Sequence, residues 1–583
     1  MAFIVADNII SPLGFTTAEN ISAVLDGHSA LSPHPAKESG VGEDYTASVL
    51  SERQRTELLG MFTACNLSPF ECKVTASAKK ALSQLPGTLI NTNRTVFILS
   101  TTKGNVENLR TEDDNDKGSA LLARAAEKIA ASLGIDTKPV VVCNACISGL
   151  SALILGQRLL MQGKYDYAVV SGTDDIGHFV LSGFQSLRAL SNQPCRPFDM
   201  ERTGLNLGEA AATIVLSREP VQEHDAWELT DGVVRNDACD IVAPSKKAEG
   251  QTRCLQQLLK QYGTQDIAFV NLHGTATLFN DQMESIALQR AGLSSIPANA
   301  LKGYYGHTLG AAGLLETIVS LHCAGRGLLP ATRGFSELGV SGKMDIAPDT
   351  RHVEGHSFIK TLSGFGGCNA AALFTHNIDV EFPASRHFCT SFKSIHHIRL
   401  TPQSLSVDGT PITTDRKGDK MLTTLYKRFV GDYPKYYKMD GLSRLGFIAS
   451  ELLLQAEAEK GKTERFCPRD DRAVVLFGRH SSLQADRKFL NTISYPEDYF
   501  PSPSVFVYTL PNIVTGEIAI RNKLHGETCY YALASHDETQ MHEVLEATAT
   551  DTALQSVISG WIDYVDGYDF LADLHLYGIE RRK

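Results

Sequence analysis

Short apolar runs recur along the first two thirds of the chain, at 95–100, 138–143, 166–171, 210–216, 267–272, 357–362 and 370–375, with helical-period stretches between them. Strands alternating with helices predict parallel β-α units and an α/β fold. The pattern also echoes itself. Gly208-Glu-Ala-Ala-Ala-Thr-Ile-Val-Leu216 and Gly367-Cys-Asn-Ala-Ala-Ala-Leu-Phe374 each run from glycine through small residues into an apolar strand, which suggests two half-domains. Residues 377–420 break the rhythm with Pro383, Pro402 and Pro411, and Asp408-Gly409 predicts a hairpin turn between 403–407 and 410–413. We read 381–424 as a linker carrying that hairpin, and 425–583 as a smaller C-terminal α/β domain. Within it we expect helices from Pro434 through Leu454 and at 515–524 and 540–549, and strands at 473–478, 504–510, 528–533 and 556–562.

The chemistry concentrates around Cys146, in Val140-Val-Val-Cys-Asn-Ala-Cys-Ile-Ser-Gly-Leu-Ser-Ala152. Three β-branched residues lead in, Ser148-Gly149 follows, and a helical pattern continues through Leu160. A thiol at such a strand-to-helix elbow meets unpaired amides and the positive end of the helix, which favour the thiolate. A small buried hydrophobe explains the same cysteine, and this segment alone leaves both readings open.

Three further segments, each at a strand end or helix start, tip the balance. Asn271-Leu-His-Gly-Thr-Ala-Thr-Leu-Phe-Asn-Asp281 follows an apolar run, and Lys302-Gly-Tyr-Tyr-Gly-His-Thr-Leu-Gly-Ala-Ala-Gly313 opens a helix. Ser363-Gly-Phe-Gly-Gly-Cys-Asn-Ala370 is a glycine-rich turn leading into a strand, so it is no dinucleotide fingerprint. Together with Ile10-Ser-Pro-Leu-Gly14, Cys195-Arg-Pro-Phe-Asp199, Arg202, Gly204, Gly208-Glu-Ala210 and Asp237–Pro244, they resemble the β-ketoacyl synthases. The resemblance covers roughly residues 1–380. The nucleophile motif departs from the family's commoner Thr-Ala-Cys-Ser-Ser-Gly, which marks a divergent branch without removing a reacting group.

The resemblance implies a thiolase-like fold of five α-β-α-β-α layers, with halves at about 1–225 and 226–380. It implies decarboxylative condensation: Cys146 takes an acyl group from carrier-bound phosphopantetheine, and His273 and His307 donate hydrogen bonds to the enolate left when malonyl-carrier loses carbon dioxide. The amides of Cys146 and Phe365 would face the oxyanion. Lys302 and Glu316 would order the histidines, each explaining the other's burial. Thr275 and Thr277 would hold the pantetheine amides, with turn formation as their plain alternative. Phe365 would gate the tunnel or simply fill the core. Arg202 would contact the acidic acyl carrier protein or be an ordinary surface arginine. No metal, nucleotide or other resident cofactor is called for.

Composition agrees. The 583 residues are 43% apolar and 21% charged, as in a globular protein. No apolar stretch reaches the roughly 18–20 residues that span a bilayer, and no signal-peptide pattern opens the chain, so we expect a cytoplasmic protein. A net charge of −11 argues against nucleic acid. Among the 12 cysteines, Cys143 and Cys146 form a lone C-x-x-C, for which a buried Cys143 is the preferred reading over a redox pair.

The C-terminal part reads as a degraded half-synthase. Ser443–Leu454 resembles 74–82, Ala473–Gly478 resembles 95–100 and Ser504–Asn522 resembles 140–160, which sets Thr509 where Cys146 stands. We expect it to pair with a partner's edge or with its own synthase domain, through a strand at 166–171, in a homodimer or a heterodimer with a ketosynthase-like subunit. Two rival readings remain: a thiolase, which needs a second cysteine as base, and a non-catalytic subunit like a chain-length factor.

Overall fold

The computed structural model describes residues 2–63, 65–86, 92–110, 117–220, 226–377, 389–461 and 464–582. The first sheet is built from β1 (Ala2–Ile10), β2 (Thr95–Ser100), β3 (Val140–Val142), β4 (Tyr167–Asp174) and β5 (Ala210–Ser217), with α1 (Leu122–Leu133), α2 (Ser148–Met161) and α3 (His178–Ser186) between them. Its order is β3-β2-β4-β5-β1, parallel at β3-β2 and β2-β4 and antiparallel at β4-β5 and β5-β1. All six residues of β2 are buried, as a strand covered on both faces requires.

The second sheet repeats this plan. It uses β6 (Ala226–Asn236), β7 (Ile267–Asn271), β8 (Pro297–Asn299), α4 (Ala312–Ala324), β9 (Asp345–Ile346), β10 (Ser357–Gly364) and β11 (Cys368–Asn377). The order β8-β7-β10-β11-β6 is the same succession, with β9 added outside β8. Central helices α2 and α4 meet between the two sheets, completing the expected α-β-α-β-α layering. They cross in backbone contact: a methyl group added at Gly313 would lie 2.3 Å from the Leu150 nitrogen, which only glycine tolerates.

The C-terminal region contributes a third sheet of the same plan: β12 (Cys389–Leu400), β13 (Leu405–Val407), β14 (Thr410–Pro411), α5 (Gly441–Gly461), β15 (Arg472–Gly478), α6 (Pro503–Val507), α7 (Ile513–Asn522), β16 (Thr528–Ala532), α8 (Glu538–Thr548), β17 (Ser556–Asp566) and β18 (Asp569–Arg582). The order β16-β15-β17-β18-β12 again takes the five main strands in the succession third, second, fourth, fifth, first. The hairpin lies at the expected turn, where Asp408 and Gly409 both adopt positive φ (49° and 76°).

Three expectations are corrected here. Residues 389–400, read as linker, form a 12-residue strand that closes the third sheet; their Lys393, His396, His397 and Arg399 hide the strand pattern. The boundary at 380/381 lies outside the described residues. Residues 504–510 are a helical turn and loop, not a strand, so Thr509 is no counterpart of Cys146. The counterpart of the elbow follows β16, where Leu533-Ala-Ser-His-Asp537 precedes α8 without a cysteine. Finally, 166–171 lies inside the first sheet, between β2 and β5. The edge strand of the first sheet is β3, which pairs antiparallel with β16 of the same chain: Tyr531 opposes Val142 and Ala532 opposes Val141. The third sheet thus continues the first, and a second chain could use that edge only by displacing β16.

Candidate active site

The elbow after β3 is stitched on both sides. The Asn144 amide donates to Ser148 Oγ (2.8 Å), Ser148 Oγ to the Ala145 carbonyl (2.6 Å), and Asn144 Nδ2 to the Thr528 carbonyl of the C-terminal region (2.9 Å). Ala145 is held at φ 47°, a left-handed conformation costing about 1–2 kcal/mol in a non-glycine residue. That strain turns Cys146 out of the strand path at the start of α2. Ala276 (φ 62°) and Leu309 (φ 50°) carry the same strain beside the two histidines, so strained backbone clusters around one point.

His273 follows β7, and Glu284 pins its loop by accepting from the amides of His273 (2.8 Å) and Gly274 (2.7 Å). His307 is set by its own amide, which donates to the Asn206 carbonyl (2.7 Å). The Leu309 amide donates to His307 Nδ1 (3.3 Å), which places the ring proton on Nε2, and that Nε2 has no hydrogen-bond partner among the described residues. The rings of His273 and His307 stand edge to face with centroids 5.1 Å apart. Donor atoms of Cys146, His273 and His307 all lie within 4.8 Å of one another. The same three atoms could ligate a thiophilic cation, which would occupy the sulfur and silence it.

Behind the histidines, Glu316 bridges two buried lysines. Lys302 Nζ donates to Glu316 Oε1 (2.6 Å) and the His273 carbonyl (2.7 Å), while Lys360 Nζ donates to Glu316 Oε2 (2.6 Å). Lys302 and Glu316 therefore meet as expected. Lys360 was missed, although a lone lysine inside the apolar run Ser357-Phe-Ile-Lys-Thr-Leu362 is an anomaly that could have exposed it. Two cations share one anion here, so the local field is positive. Burial, then Lys302 and the other cationic neighbours, hold both imidazoles well below their ordinary range, and both are neutral at pH 7. Burial also brings Lys360 down to about 8.

Cys146 departs from expectation. Burial pushes its thiol up to about 12, against the pull of Lys302 toward the thiolate. Desolvation outweighs the charge environment that the elbow alone suggested.

A cavity of about 480 Å³ opens from these groups to the surface, lined by Cys146, His273, His307, Thr275, Thr277 and Phe365. Thr275 and Thr277 hydroxyls lie 2.8 Å apart on its wall. Leu278 and Phe279, exposed by 60% and 73%, form its mouth. Phe365 stacks near Phe184 (6.4 Å) beside Cys146. Arg202 does not reach the surface: it is 8% exposed, and its guanidinium donates to the carbonyls of Asp199 (2.8 Å), Gly339 (2.7 Å) and Leu278 (3.3 Å). It braces the mouth from within and presents no charge to a carrier. Sequence reasoning also missed the contribution of the C-terminal region. Phe506 and Leu510 line the space behind Cys146, and Asn512 Nδ2 donates to the Phe365 carbonyl (2.8 Å). No sequence signal marked them, because only folding brings them to the site.

Residues 3–221 match the N-terminal domain of β-ketoacyl synthases and residues 228–336 their C-terminal domain. The 3-oxoacyl-[acyl-carrier-protein] synthase 2 of Rhizobium meliloti (strain 1021) is 34% identical over 250 residues, 40% of this chain and 59% of that protein. The chain thus spans about three fifths of the length of that relative. Among solved structures, the ketosynthase ApeO in complex with its chain length factor ApeC from Xenorhabdus doucetiae shares the fold over 64% of this chain and 97% of its own (TM-score 0.55, 24% identity). The PfaC keto synthase–chain length factor shares it over 99% of this chain and 78% of its own (TM-score 0.77, 14% identity). Among the described residues no helix is long and apolar enough to cross a membrane. By its matched domains, its thiolase-like fold and its convergent cysteine and histidines, the chain belongs to the β-ketoacyl synthase family.

Proposed function

We propose that this chain is a 3-oxoacyl-[acyl carrier protein] synthase that condenses an acyl thioester on Cys146 with malonyl-carrier. The observation carrying the proposal is the convergence of Cys146, His273 and His307 within 4.8 Å at the base of an open cavity. In the first half-reaction the sulfur attacks the acyl thioester carbonyl, and the released pantetheine sulfur leaves as a thiol with the proton that Cys146 gives up. The amides of Cys146 and Phe365 are the groups we assign to the oxyanion. In the second, the carboxylate of malonyl thioester leaves as carbon dioxide, and its bonding electrons form an enolate. His307 Nε2–H, with its tautomer set by the Leu309 amide, donates to the enolate oxygen, and His273 supplies the second donor. Neutral imidazoles in the field of Lys302 and Lys360 suit a developing negative charge that needs fixed donors. The enolate carbon then attacks the Cys146 thioester, expelling the thiolate and leaving a 3-oxoacyl product on the carrier.

This reading needs acyl carrier protein as partner, acyl and malonyl thioesters as substrates, and no resident cofactor. It places the protein in the cytoplasm. We assign the C-terminal region a non-catalytic role like that of a chain-length factor, because the elbow after β16 has no cysteine. Intact-mass spectrometry with acyl-carrier donors tests the proposal. The native chain gains an acyl group that Cys146→Ala lacks; a native chain that stays unacylated beside a competent donor refutes it.

A further inference from the structure

The front cavity must admit malonyl-pantetheine while Cys146 is still acylated, so the acyl chain has to lie elsewhere. The space behind Cys146 is the other way out of the elbow, bounded by Val180, Phe184, Lys103, Phe506 and Leu510. It holds only about 20 Å³, room for little more than one water-sized group.

Its floor comes from the C-terminal region and is fastened. Phe506 lies hard against α3, where a methyl group added at Gly183 would stand 2.0 Å from its ring, so the glycine makes the seat for this side chain. Phe179 (6.4 Å), Phe184 (5.6 Å) and Phe489 (5.1 Å) surround the same ring. Beside it the Lys103 side chain is 3% exposed. Its ammonium donates to the Thr509 carbonyl, to Thr509 Oγ1 (2.6 Å) and to Asp486 Oδ1 (3.5 Å). It also lies 5.5 Å and 5.8 Å from the ring centres of Phe179 and Phe506. Every oxygen that holds it belongs to the C-terminal region. On the far side of Lys103 lies a second small cavity lined by His480, Ser482 and Asp486.

We infer that Lys103 is a specificity-determining latch, tying segment 503–512 across the acyl space so that Cys146 accepts only short acyl groups. The inference rests on the condensing-enzyme reading and names its substrate class: acetyl-sized thioesters, whose single methyl group matches the space. A longer alkyl chain would have to push Phe506 or Leu510 aside and lie against a desolvated ammonium whose protons are all committed. Burial favours the neutral amine of Lys103 while Asp486 favours the cation, so the pair is held by its partners alone.

The experiment is intact-mass measurement of acyl transfer to Cys146 in the full chain, using acyl-pantetheine donors from acetyl to decanoyl. Native protein, Lys103→Met and Phe506→Ala are compared, with circular dichroism as the folding check. The native chain is expected to load acetyl faster than octanoyl by at least about tenfold, the order that a closed apolar pocket enforces. Either substitution should raise the octanoyl-to-acetyl ratio about tenfold or more. Octanoyl loading as fast as acetyl on the native chain overturns the latch, as does an unchanged ratio in both folded variants. Absence of every acyl adduct on the native chain overturns the condensing-enzyme reading itself, so the two failures are distinguishable.

Discussion

Asn512 donates a 2.8 Å hydrogen bond to the carbonyl of Phe365, so a residue of the third sheet's region holds the glycine loop beside Cys146. The same amide nitrogen would lie 2.7 Å from a methyl group added at Gly366, leaving the loop no slack on that side. The C-terminal region therefore does more than cover an edge. Asn512→Ala leaves the Phe365 carbonyl with only the weak Cys368 thiol as donor (3.3 Å), at a cost of about 1 kcal/mol. We expect condensation to fall about tenfold or more while the circular dichroism spectrum is retained. Steady-state kinetics on the folded variant checks this, and wild-type turnover would refute the bracing role.

The two halves of the reaction separate by mutation. His273→Ala should still accept an acyl group on Cys146 but lose about 10²–10³ in malonyl decarboxylation, the usual loss for one donor to a developing oxyanion. Released carbon dioxide and intact mass, measured on one sample, read both steps. Equal loss of the two steps would contradict the assignment of His273 to the enolate.

Because both imidazoles are held well below 6.5 by burial and by Lys302, they stay neutral as pH falls toward 6. Lowering the pH protonates them only below that range, so decarboxylation should be flat between about pH 6 and 7 and decline toward pH 9 as Lys360, brought down to about 8, loses its charge. Acylation behaves oppositely. With the thiol pushed up to about 12, the thiolate fraction keeps growing as pH rises, so alkylation of Cys146 by iodoacetamide should accelerate beyond pH 9 without a plateau. An acid limb centred near the ordinary histidine value, or a plateau near neutrality, would overturn the respective half.

Among the described residues, Glu316 is the one carboxylate that forms ion pairs with both Lys302 and Lys360 (2.6 Å each). Glu316→Ala leaves two buried cations side by side, at a cost of about 3–5 kcal/mol. Guanidinium unfolding should show the midpoint falling accordingly. A loss below about 1 kcal/mol would mean that water or a bound anion replaces the carboxylate.

Removing the third sheet exposes the β3 edge, which presents unpaired backbone groups. A chain ending at Asn377 should self-associate or aggregate, detectable by light scattering. A well-behaved monomer with unchanged condensation would contradict the role given to the β3–β16 pairing.

The strand-and-helix alternation of the first two sheets and the positions of Cys146, His273 and His307 were legible in the sequence, and Lys302 and Glu316 only through the family resemblance. Each of the first three sits where an apolar run meets glycine and small residues, and such local patterning survives without tertiary context. The third sheet was legible in its apolar strands β15, β16 and β17 but not in β12, whose charged outer face looks like linker, nor in the register that set Thr509 against Cys146.

Folding alone decided the rest. Lys360, Asn512, Phe506 and Lys103 act only through partners far away in the chain, and distance along a sequence carries no signal of contact in space. Desolvation also belongs to the folded state: the sequence could place a thiol at a helix start, but only burial keeps it protonated. Arg202 makes the same point in reverse, a cation that folding spent on three backbone carbonyls.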